Sequence, residues 1–365
     1  MSKYKLLLFG ISGDLAIRKI LPSLGQLIEQ DLLNQYELIG YSRSIVEPLK
    51  IQEAIASKQA SKLSSKLCQI TLKNGEYNDP KIFYDSIKGL EENERLFVYL
   101  ALPPVAFFES IQNFCPYSKY PVNIILEKPY STSLEESQKL MQLINICDLQ
   151  IKIHFFDHYL FKSGLELSEK TKSTIRTKSI KTVYISALEH LGLEKRAGYY
   201  DSTGAVKDML PHLLSLWENY SIQLGYKNSQ DIDNYEIKEV SYEQYPEYQI
   251  ELGKKSSTET YFKIKIYDSL NNLNLIFESG KKKPIKETII RFIDSNQEII
   301  SVIDLHSEIK KETNESNQNE HIEMLKNLEN NIFTRFLKPT SVIWQWEIIR
   351  KIKEFSKINH QNDVF

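Results

Sequence analysis

The sequence is poor in cysteine and has no long apolar run. Its three cysteines, Cys68, Cys115 and Cys147, are widely separated among 365 residues, and no two of them form a C-x-x-C pair. This spacing argues against a cysteine zinc site and a disulfide framework, and it predicts reduced, buried thiols. No apolar stretch is long enough to cross a bilayer. A strand-like segment begins at residue 5, which leaves no room for a signal peptide. We therefore expect a cytoplasmic protein.

The chain also lacks an excess of charge of either sign. Its 46 Lys and Arg residues nearly balance its 48 Asp and Glu residues, for a formal net charge of −2. A general nucleic-acid or membrane-surface binder usually carries a basic excess, so neither class is indicated. Any anionic ligand must be held by a local cluster of positive charge. No His, Cys, Asp and Glu residues have the spacing of metal ligands, and we expect no metal.

The pattern of apolar segments predicts two domains that divide near residue 156. Before that point, continuous apolar strands alternate with helix-like segments, which is typical of a parallel, doubly wound α/β sheet of the Rossmann type. The expected strands are 5–9, 37–41, 96–102, 122–128 and 151–156. A helix is expected over about 16–33, and Ser133 with Glu136 forms a capping box that opens another. The first domain is predicted to span residues 1–156.

The remainder, residues 157–365, has a different pattern. Its strand-like segments often alternate apolar with polar side chains, so we expect a mainly antiparallel sheet covered by helices, an α+β arrangement. The expected strands are 182–189, 258–267, 272–278 and 287–293, and the expected helices are 208–222, 320–335 and 342–357. The polar run 311–320 is expected to be a solvated loop.

The stretch KLLLFGISGDLAIRK, residues 5–19, predicts a nucleotide site. An apolar strand ends at Gly10 and a turn leads into a helix, so backbone N–H groups and the helix N-terminus can face a pyrophosphate. The pattern is G-x-x-G-x-x-A, with Gly13 in the turn and Ala16 at the helix, rather than the usual G-x-G-x-x-G. By itself this turn fits a nucleotide site and an ordinary strand-to-helix connection equally well.

The end of the second strand predicts which dinucleotide binds. An acidic residue there would hold a ribose 2′-hydroxyl, whereas an arginine suits a 2′-phosphate. The strand ELIGY is followed by Ser42, Arg43 and Ser44, with no acid among them. We therefore expect NADP rather than NAD; the alternative is that Arg43 is a solvated surface residue.

Beyond this turn, many stretches resemble one enzyme family. GISGDLAIRKILPSL is similar to the nucleotide-binding start of glucose-6-phosphate dehydrogenases, whose pattern G-x-S-G-D-L-A-x-R-K departs from the usual fingerprint in the same way. Further resemblances follow in the family's order: YLALPP (99–104), EKPYSTSLEES (127–137), DHYLFK (157–162), GLEKRAGYYDSTGAVKDMLPH (192–212), STETYFKIKI (257–266), SGKKKPIKETIIRF (279–292) and NIFTRFLKPTSVIWQWEII (331–349). They extend over nearly the whole chain.

The resemblance implies an oxidoreductase that converts glucose 6-phosphate to 6-phosphogluconolactone with hydride transfer to NADP, the entry step of the pentose phosphate pathway. Its partner would be a small-molecule sugar phosphate. The residues that it implies for the cofactor are Gly10, Ser12, Gly13, Asp14, Leu15, Arg43, Leu102, Pro103 and Lys128. The family dimerises through its large sheet, which leaves open a homodimer through the antiparallel sheet.

The chemistry requires a base that takes the proton of a C–OH group, and histidine suits this task near neutral pH when a carboxylate stabilises its charge. By the family's motifs, His212 would be the base and Asp157 its carboxylate. The substrate ligands would be Lys128, His158, Tyr159, Lys162, Glu189, Asp208, Lys281 and Lys286. Lys128 would lie at the carboxyl edge of the first sheet, where ligands bind in such folds.

Local spacing adds two expectations. If a helix starts at Asp157, then His158 and Lys162 share one face and can hold one anion. Pro211 is tolerated only in a first helical turn, so an alternative role for Asp208 is the N-cap of a helix with His212 in its first turn.

The remaining histidines are not expected to act in the site. His154 lies within a strand, and the polar context of His190, His306, His321 and His360 gives none of them a role.

Several departures from the family's pattern keep other functions open. The chain is shorter than typical members, Phe161 replaces a glycine, and Asp208 and His212 are four positions apart instead of five. The D-x-x-x-H spacing also resembles the glucose–fructose oxidoreductase and inositol dehydrogenase family. The alternatives are a dehydrogenase of another sugar or sugar phosphate, and a non-catalytic, NADP-binding regulatory relative.

Overall fold

The computed structural model describes residues 4–30, 36–55, 70–88, 95–117, 122–147, 151–193, 197–227, 230–305 and 319–362. The chain forms two compact units. The first comprises Met1–Phe161 and Gln318–Pro339, and the second comprises Lys162–Asn317 and Thr340–Phe365. Cys68, His306 and most of the polar run 311–320 lie outside the described residues.

The first unit is built on a six-stranded parallel sheet, as the alternation of strands and helices predicted. Its strand order is β3-β2-β1-β4-β5-β6, a doubly wound arrangement that reverses direction next to β1. The strands are β1 (Tyr4–Phe9), β2 (Tyr36–Ser42), β3 (Ile70–Asn74), β4 (Arg95–Leu100), β5 (Val122–Glu127) and β6 (Ile151–Phe156). Their middle residues are almost entirely buried, because helices cover both faces of a parallel sheet.

Helices follow the strands of this unit. A π-helical turn, Ala16–Ile20, leads into α1; the helices are α1 (Leu21–Glu29), α2 (Pro48–Ile55), α3 (Pro80–Ile87), α4 (Phe107–Phe114) and α5 (Leu134–Ile146). The predicted capping box opens α5, since Ser133 Oγ accepts from the backbone N–H of Glu136 at 3.2 Å. The carboxylate of Glu136 reaches back to Thr132 rather than to Ser133.

A late segment of the chain returns to this unit, which the predicted boundary near residue 156 did not include. Its helix α9 (Glu320–Glu329) ends well before the predicted residue 335. Farther along the segment, the backbone N–H of Leu337 donates to the carbonyl of Phe155 at 3.0 Å. Asn319 Nδ2 donates to Ser23 Oγ at 2.8 Å. Such tertiary contacts between distant segments leave no periodic signal in the sequence.

The expectation of free thiols is wrong for two of the three cysteines. Cys115 follows α4 and Cys147 follows α5, and the structure joins them in a disulfide with their Cα atoms 5.1 Å apart. That separation lies within the ordinary range for disulfides. The sequence separation of 32 residues concealed the pairing, because the ends of two neighbouring helices bring the residues together only in the fold.

The second unit contains a six-stranded mixed sheet in the order β12-β11-β7-β10-β9-β8. All its pairings are antiparallel except that of β7 with β10, in agreement with the mainly antiparallel prediction. The strands are β7 (Ile180–Leu188), β8 (Tyr235–Glu243), β9 (Tyr261–Asp268), β10 (Leu273–Gly280), β11 (Glu287–Asp294) and β12 (Ile299–Asp304). The alternation of buried and more exposed residues in β9 and β10 shows that one face meets the core.

Four of the described helices belong wholly or almost wholly to the second unit. They are α6 (Glu169–Thr177), α7 (Ala197–Leu224), α8 (Tyr248–Leu252) and α10 (Pro339–Asn362). Helix α7 begins eleven residues before the predicted 208, and it is interrupted at Gly204, whose backbone has φ 75° and ψ 166°. Among the described residues, no helix combines the length and apolar character needed to cross a membrane.

Candidate active site

The glycine turn after β1 is held by the neighbouring strands. The backbone N–H of Gly10 donates to the carbonyl of Tyr41 at 3.0 Å, and that of Gly13 donates to the carbonyl of Gly10 at 2.8 Å. Gly10 has φ +74°, and a Cβ atom there would lie 2.3 Å from the carbonyl oxygen of Ala101. Glycine is therefore required, because any side chain would collide with the end of β4. This close approach distinguishes the turn from an arbitrary strand-to-helix connection.

The side chains predicted to bind the cofactor lie in this turn and at the end of the neighbouring strand. Ser12 Oγ and Ser42 Oγ are 2.9 Å apart, so the turn is bonded to the end of β2. Arg43, which directly follows β2, is exposed. Asp14 and Leu15 precede the π-helical turn, and the Asp14 carboxylate lies 3.4 Å from Arg18 on the surface. Each of these residues lies at the carboxyl edge of the parallel sheet.

Two more candidate segments follow the neighbouring strands β4 and β5. Leu102 and Pro103 come directly after the end of β4. Lys128 comes directly after Glu127, the last residue of β5, and is half-buried. Because the carboxyl ends of parallel strands meet at one edge, the topology brings Lys128 to the same side of the sheet as the glycine turn.

The segment after β6 supplies the predicted carboxylate. Asp157 is fully buried, and its Oδ1 accepts from the backbone N–H of Tyr159 at 3.0 Å. The rings of His158 and Tyr159 meet edge to face, with centroids 4.9 Å apart. Residues His158–Phe161 form a 3₁₀ helix rather than the start of an α-helix. The α-helix on which the shared face of His158 and Lys162 was predicated is therefore absent, since a 3₁₀ helix aligns positions i and i+3.

A buried polar cluster beside Lys128 was not anticipated. The carboxylate Oε1 of Glu127 accepts a hydrogen bond from the hydroxyl of Tyr99, and His321 Nε2 lies 3.0 Å from the same oxygen. His321 was expected to be without a role because of its polar sequence context, yet its side chain is buried. The sequence placed His321 only in the first turn of a predicted helix. That position does not indicate which strand the side chain contacts.

The hydroxyl of Tyr130 is part of the same buried region. It has no hydrogen-bond partner within the described part of the chain. Burial raises the pKa of Tyr130 well above its ordinary value, and the negative charges of Asp157 and Glu127 raise it further.

In the second unit, three predicted ligands meet at one sheet edge. Glu189 follows β7 and Lys281 follows β10, and these strands are parallel neighbours. Lys281 Nζ lies 2.8 Å from Glu189 Oε1, with the lysine side chain only 6% exposed. Glu287 of β11 pairs with Leu188, so the preceding Lys286, which is exposed, lies at the same edge. The structure therefore brings Glu189, Lys281 and Lys286 together.

Asp208 and His212 lie in α7, after its interruption at Gly204. The backbone N–H of Val206 donates to Glu259 Oε1 at 3.0 Å, and that of Ala205 donates to the Glu259 carbonyl. Glu259 thus caps the second stretch of α7, and the alternative that Asp208 is its N-cap is wrong. The helical conformation resumes before Asp208, because Gly204 takes the non-helical turn. Pro211 lies inside the helix and His212 is buried.

Tyr200 links the two parts of this group. Burial raises the pKa of Tyr200 far above its ordinary value, and negative charge on Asp208, Glu259 and Glu189 raises it further. Its hydroxyl is buried and has no hydrogen-bond partner in the ranges that the structure describes. The carboxylates of Asp208 and Glu189 therefore lie near one phenol, although they come from a helix and a strand end.

Comparison with known families supplies the decisive observation. Residues 7–166 match the family model described as the NAD-binding domain of glucose-6-phosphate dehydrogenase, and residues 170–223 match the model of its C-terminal domain. Together the two matches include more than half of the chain. The chain belongs to the glucose-6-phosphate dehydrogenase family. The identification made from the sequence motifs is confirmed.

Curated members of the glucose-6-phosphate dehydrogenase family differ in how much of their length the chain matches. The glucose-6-phosphate 1-dehydrogenase of Borreliella burgdorferi is 29% identical over 239 residues, which are 59% of this chain and 49% of that protein. The enzyme of the same name from Helicobacter pylori strain J99 is 27% identical over 322 residues, 80% of this chain and 76% of that protein. The chain thus spans about half the length of the first relative.

Solved glucose-6-phosphate dehydrogenases share the fold over nearly the whole chain. The structure from Mycobacterium avium superposes with a TM-score of 0.79 and 19% identity, covering 97% of this chain and 92% of that one. A glucose-6-phosphate dehydrogenase in complex with its substrate glucose-6-phosphate gives a TM-score of 0.74 at 17% identity, covering 95% and 90%. The predicted fold class is confirmed.

Proposed function

We propose that the protein oxidises glucose 6-phosphate at C1 to 6-phosphogluconolactone and reduces NADP. The observation that carries this proposal is the position of the family's site residues in the fold. Lys128 and the Asp157–Tyr159 segment directly follow β5 and β6, at the edge that also bears the glycine turn. The substrate is proposed from the relatives, one of which is a glucose-6-phosphate dehydrogenase in complex with glucose-6-phosphate.

The residues present fit a dinucleotide. Gly10 has φ +74° and no space for a Cβ atom beside Ala101, so the chain makes the tight glycine turn that such folds place against a pyrophosphate. Gly10, Ser12, Gly13, Asp14 and Leu15 would hold the pyrophosphate half, and Leu102, Pro103 and Lys128 the nicotinamide half. The exposed Arg43 after β2 would pair with a 2′-phosphate, which favours NADP over NAD. When bound, the nicotinamide supplies the hydride acceptor.

The chain's own residues would handle the proton and the substrate. We assign His212 as the base that takes the C1 hydroxyl proton and Asp157 as the carboxylate that balances the charge gained. His158, Tyr159 and Lys162 would bind the phosphate group. Glu189, Asp208, Lys281, Lys286 and Lys128 would contact the sugar, with Lys281 held in place by Glu189 at 2.8 Å.

The test is turnover of the purified protein with glucose 6-phosphate and either NADP or NAD. We expect reduction of the nicotinamide, measured as a rise in near-ultraviolet absorbance. The kcat/KM should be higher for NADP than for NAD. Arg43→Ala should raise the KM for NADP about tenfold and leave that for NAD unchanged, since a charge-assisted phosphate contact contributes about 1–2 kcal/mol or roughly that factor. No turnover of glucose 6-phosphate with either dinucleotide would contradict the proposal.

A second candidate keeps the chemistry and changes the substrate. Its support is the shortened interval between Asp208 and His212 and the bulky, buried Phe161 in the position of a glycine. A panel of sugars and sugar phosphates separates it from the first candidate. Tight NADP binding without turnover of any panel member would instead favour the regulatory relative.

The homodimer is proposed on the family's pattern alone. We propose a cytoplasmic enzyme, and a homodimer through the mixed sheet is the arrangement to test. Sedimentation or light scattering at several protein concentrations measures the oligomeric state directly.

A further inference from the structure

The face of the first sheet that carries Glu127 is covered by the late segment of the chain. Glu127 pairs in register with Phe156 of β6, and Tyr99 of β4 lies on the same face. The ring of His321, from α9, meets the ring of Phe156 edge to face with centroids 5.1 Å apart. A residue some two hundred positions farther along the chain therefore closes over the end of β5.

Glu127 depends on this cover for its hydrogen bonds. Its side chain is 12% exposed and that of His321 is 7% exposed, and Glu127 Oε1 lies 3.0 Å from His321 Nε2. The hydroxyl of Tyr99 donates to the same oxygen. A buried carboxylate is costly unless donors surround it, and these two donors come from different segments. Because an ionised carboxylate only accepts hydrogen bonds, the imidazole donates through Nε2.

The imidazole itself is held at a defined position. Asn319 caps α9, with its Oδ1 accepting from the backbone N–H of His321 at 3.0 Å. The Nδ2 of Asn319 donates to Ser23 Oγ, in α1, at 2.8 Å. The first turn of α9 is thus bonded to α1 as well as to Glu127, which limits the movement of His321.

We propose that His321 is a positioning residue for Lys128. By holding the Glu127 carboxylate, His321 fixes the last residue of β5, and Lys128 is the next residue of the chain. A displacement of about 1 Å at a reacting centre can lower a rate by about a hundredfold. The inference rests on the proposed function, which assigns Lys128 to the substrate and the nicotinamide.

The first experiment measures Lys128 without any turnover. The purified full chain and its variants are acetylated under limiting reagent, and the labelling rate of each lysine is followed by peptide mass spectrometry. In His321→Leu we expect Lys128 to react about threefold to tenfold faster than in the parent, because the strand end opens locally. The other lysines serve as internal standards. In His321→Gln, which keeps an N–H donor, labelling should return to within about twofold of the parent.

His154 provides a matched control. It is a buried histidine of the same unit, 3.0 Å from Asn123 Oδ1 near the beginning of β5, and it stacks on Phe333 of the late segment with centroids 4.1 Å apart. His154→Leu should lower stability as His321→Leu does, and leave the relative labelling of Lys128 unchanged. Tyr99→Phe removes the other donor to Glu127 and keeps the aromatic ring. Its Lys128 labelling rate should fall between those of the parent and His321→Leu.

The outcomes separate this inference from the proposed function. Selective labelling of Lys128 in His321→Leu supports positioning, and equal labelling in both leucine variants overturns it. If His321→Leu fails to fold, Tyr99→Phe decides the question through the same readout, and labelling of Lys128 equal to that in the parent overturns the proposal. A tenfold or larger fall in kcat for glucose 6-phosphate oxidation should accompany the selective labelling. If the parent oxidises no sugar phosphate while Lys128 is still labelled selectively in His321→Leu, the positioning role stands and the proposed function is rejected.

Discussion

The two units position their candidate site residues by different means. In the first unit, the candidates lie directly beyond the carboxyl ends of parallel strands, as Gly10, Lys128 and Asp157 do. In the second unit, Glu189 and Lys281 lie at an edge of a mixed sheet, whereas Asp208 and His212 lie in an interrupted helix. A parallel, doubly wound sheet gathers strand ends at one edge by its topology alone. The mixed sheet needs specific tertiary contacts to achieve the same result.

Those contacts are visible around α7. The helix resumes after Gly204 because Glu259 accepts hydrogen bonds from its first free N–H groups. A carboxylate from the loop before β9 therefore determines where the helical stretch of Asp208 and His212 begins. The effects of substitutions at strand ends should therefore be harder to predict in the second unit than in the first.

The largest expected effect concerns the base in the second unit. His212→Asn should lower kcat for glucose 6-phosphate oxidation about 10²- to 10⁴-fold, the usual contribution of a general base. Steady-state kinetics measures it, and thermal unfolding checks that the fold is kept. Asp157→Asn, in the first unit, should act in the same direction with a smaller effect. A kcat for His212→Asn within about threefold of the parent would exclude His212 as the base.

The next effect is acid sensitivity in the first unit. Burial, together with the nearby charge of Lys152, lowers the pKa of His154 from 6.5 to about 4. Between these two values the unfolded chain binds a proton that the folded chain does not, so stability falls as the pH falls through that window. The loss amounts to about 3 kcal/mol by pH 4.

Tryptophan fluorescence can assign this loss to a unit. The three tryptophans, Trp217, Trp344 and Trp346, all belong to the second unit. On acidification, the circular dichroism signal should therefore change before the tryptophan fluorescence. His154→Gln, which keeps a partner for Asn123, should remove most of the pH dependence. If the stability of His154→Gln depends on pH as strongly as that of the parent, another group titrates.

A third prediction compares one glycine from each unit. Gly10→Ala should destabilise the protein by about 2–3 kcal/mol, because a positive φ combines with a collision against the backbone of Ala101. Gly204→Ala should cost less, about 1–2 kcal/mol, since the added Cβ would meet the end of the Glu259 side chain rather than backbone. Urea unfolding followed by circular dichroism measures both.

Gly198→Ala is the control for these variants. Gly198 lies in α7 without a positive φ, and a Cβ atom added to it would have no neighbouring atom within 4 Å. Alanine there should be neutral or stabilise by up to about 1 kcal/mol, from its helix propensity. If Gly204→Ala is as costly as Gly10→Ala, the capped helix is as rigid as the strand-end turn.

The smallest effect tests the polar cluster in the first unit. Tyr130→Phe removes a buried hydroxyl without a partner in the described ranges and should stabilise the protein by about 1 kcal/mol. Tyr99→Phe removes a hydroxyl that donates to Glu127 and should destabilise by a similar amount. Thermal unfolding of the two variants side by side measures the opposite signs. A destabilised Tyr130→Phe would mean that its hydroxyl has a water partner.

Prediction from the sequence succeeded where the signal is local. The expected strand 151–156 coincides with β6, and 5–9 and 287–293 match β1 and β11 to within one residue. Strands β3, β8 and β12 were missed. The alternation of apolar and polar residues in β8 is interrupted by a register shift between Ile237 and Glu239, and β3 and β12 are too short to show a clear period. In α7, the kink at Gly204 hid the beginning of the helix, since glycine usually marks a helix end.

For the candidate site, motifs located the residues and contacts decided their surroundings. The resemblance identified Lys281 and Glu189 separately, whereas their ion pair required the pairing of β7 with β10. His321 had no motif, and only the return of the late segment to the first sheet placed it beside Glu127. Hydrogen bonds between distant residues depend on how elements pack, which no local pattern encodes.

The amino-acid sequence by itself determined the family, the parallel sheet with its glycine turn, and the order of the candidate residues along the chain. These features follow from residue spacing and from the periodicity of apolar side chains. Only the tertiary structure decided the disulfide between Cys115 and Cys147, the cap of α7 by Glu259, and the cover of Glu127 by His321. Each of these joins residues far apart in sequence, and burial of apolar surface between segments brings them within bonding distance.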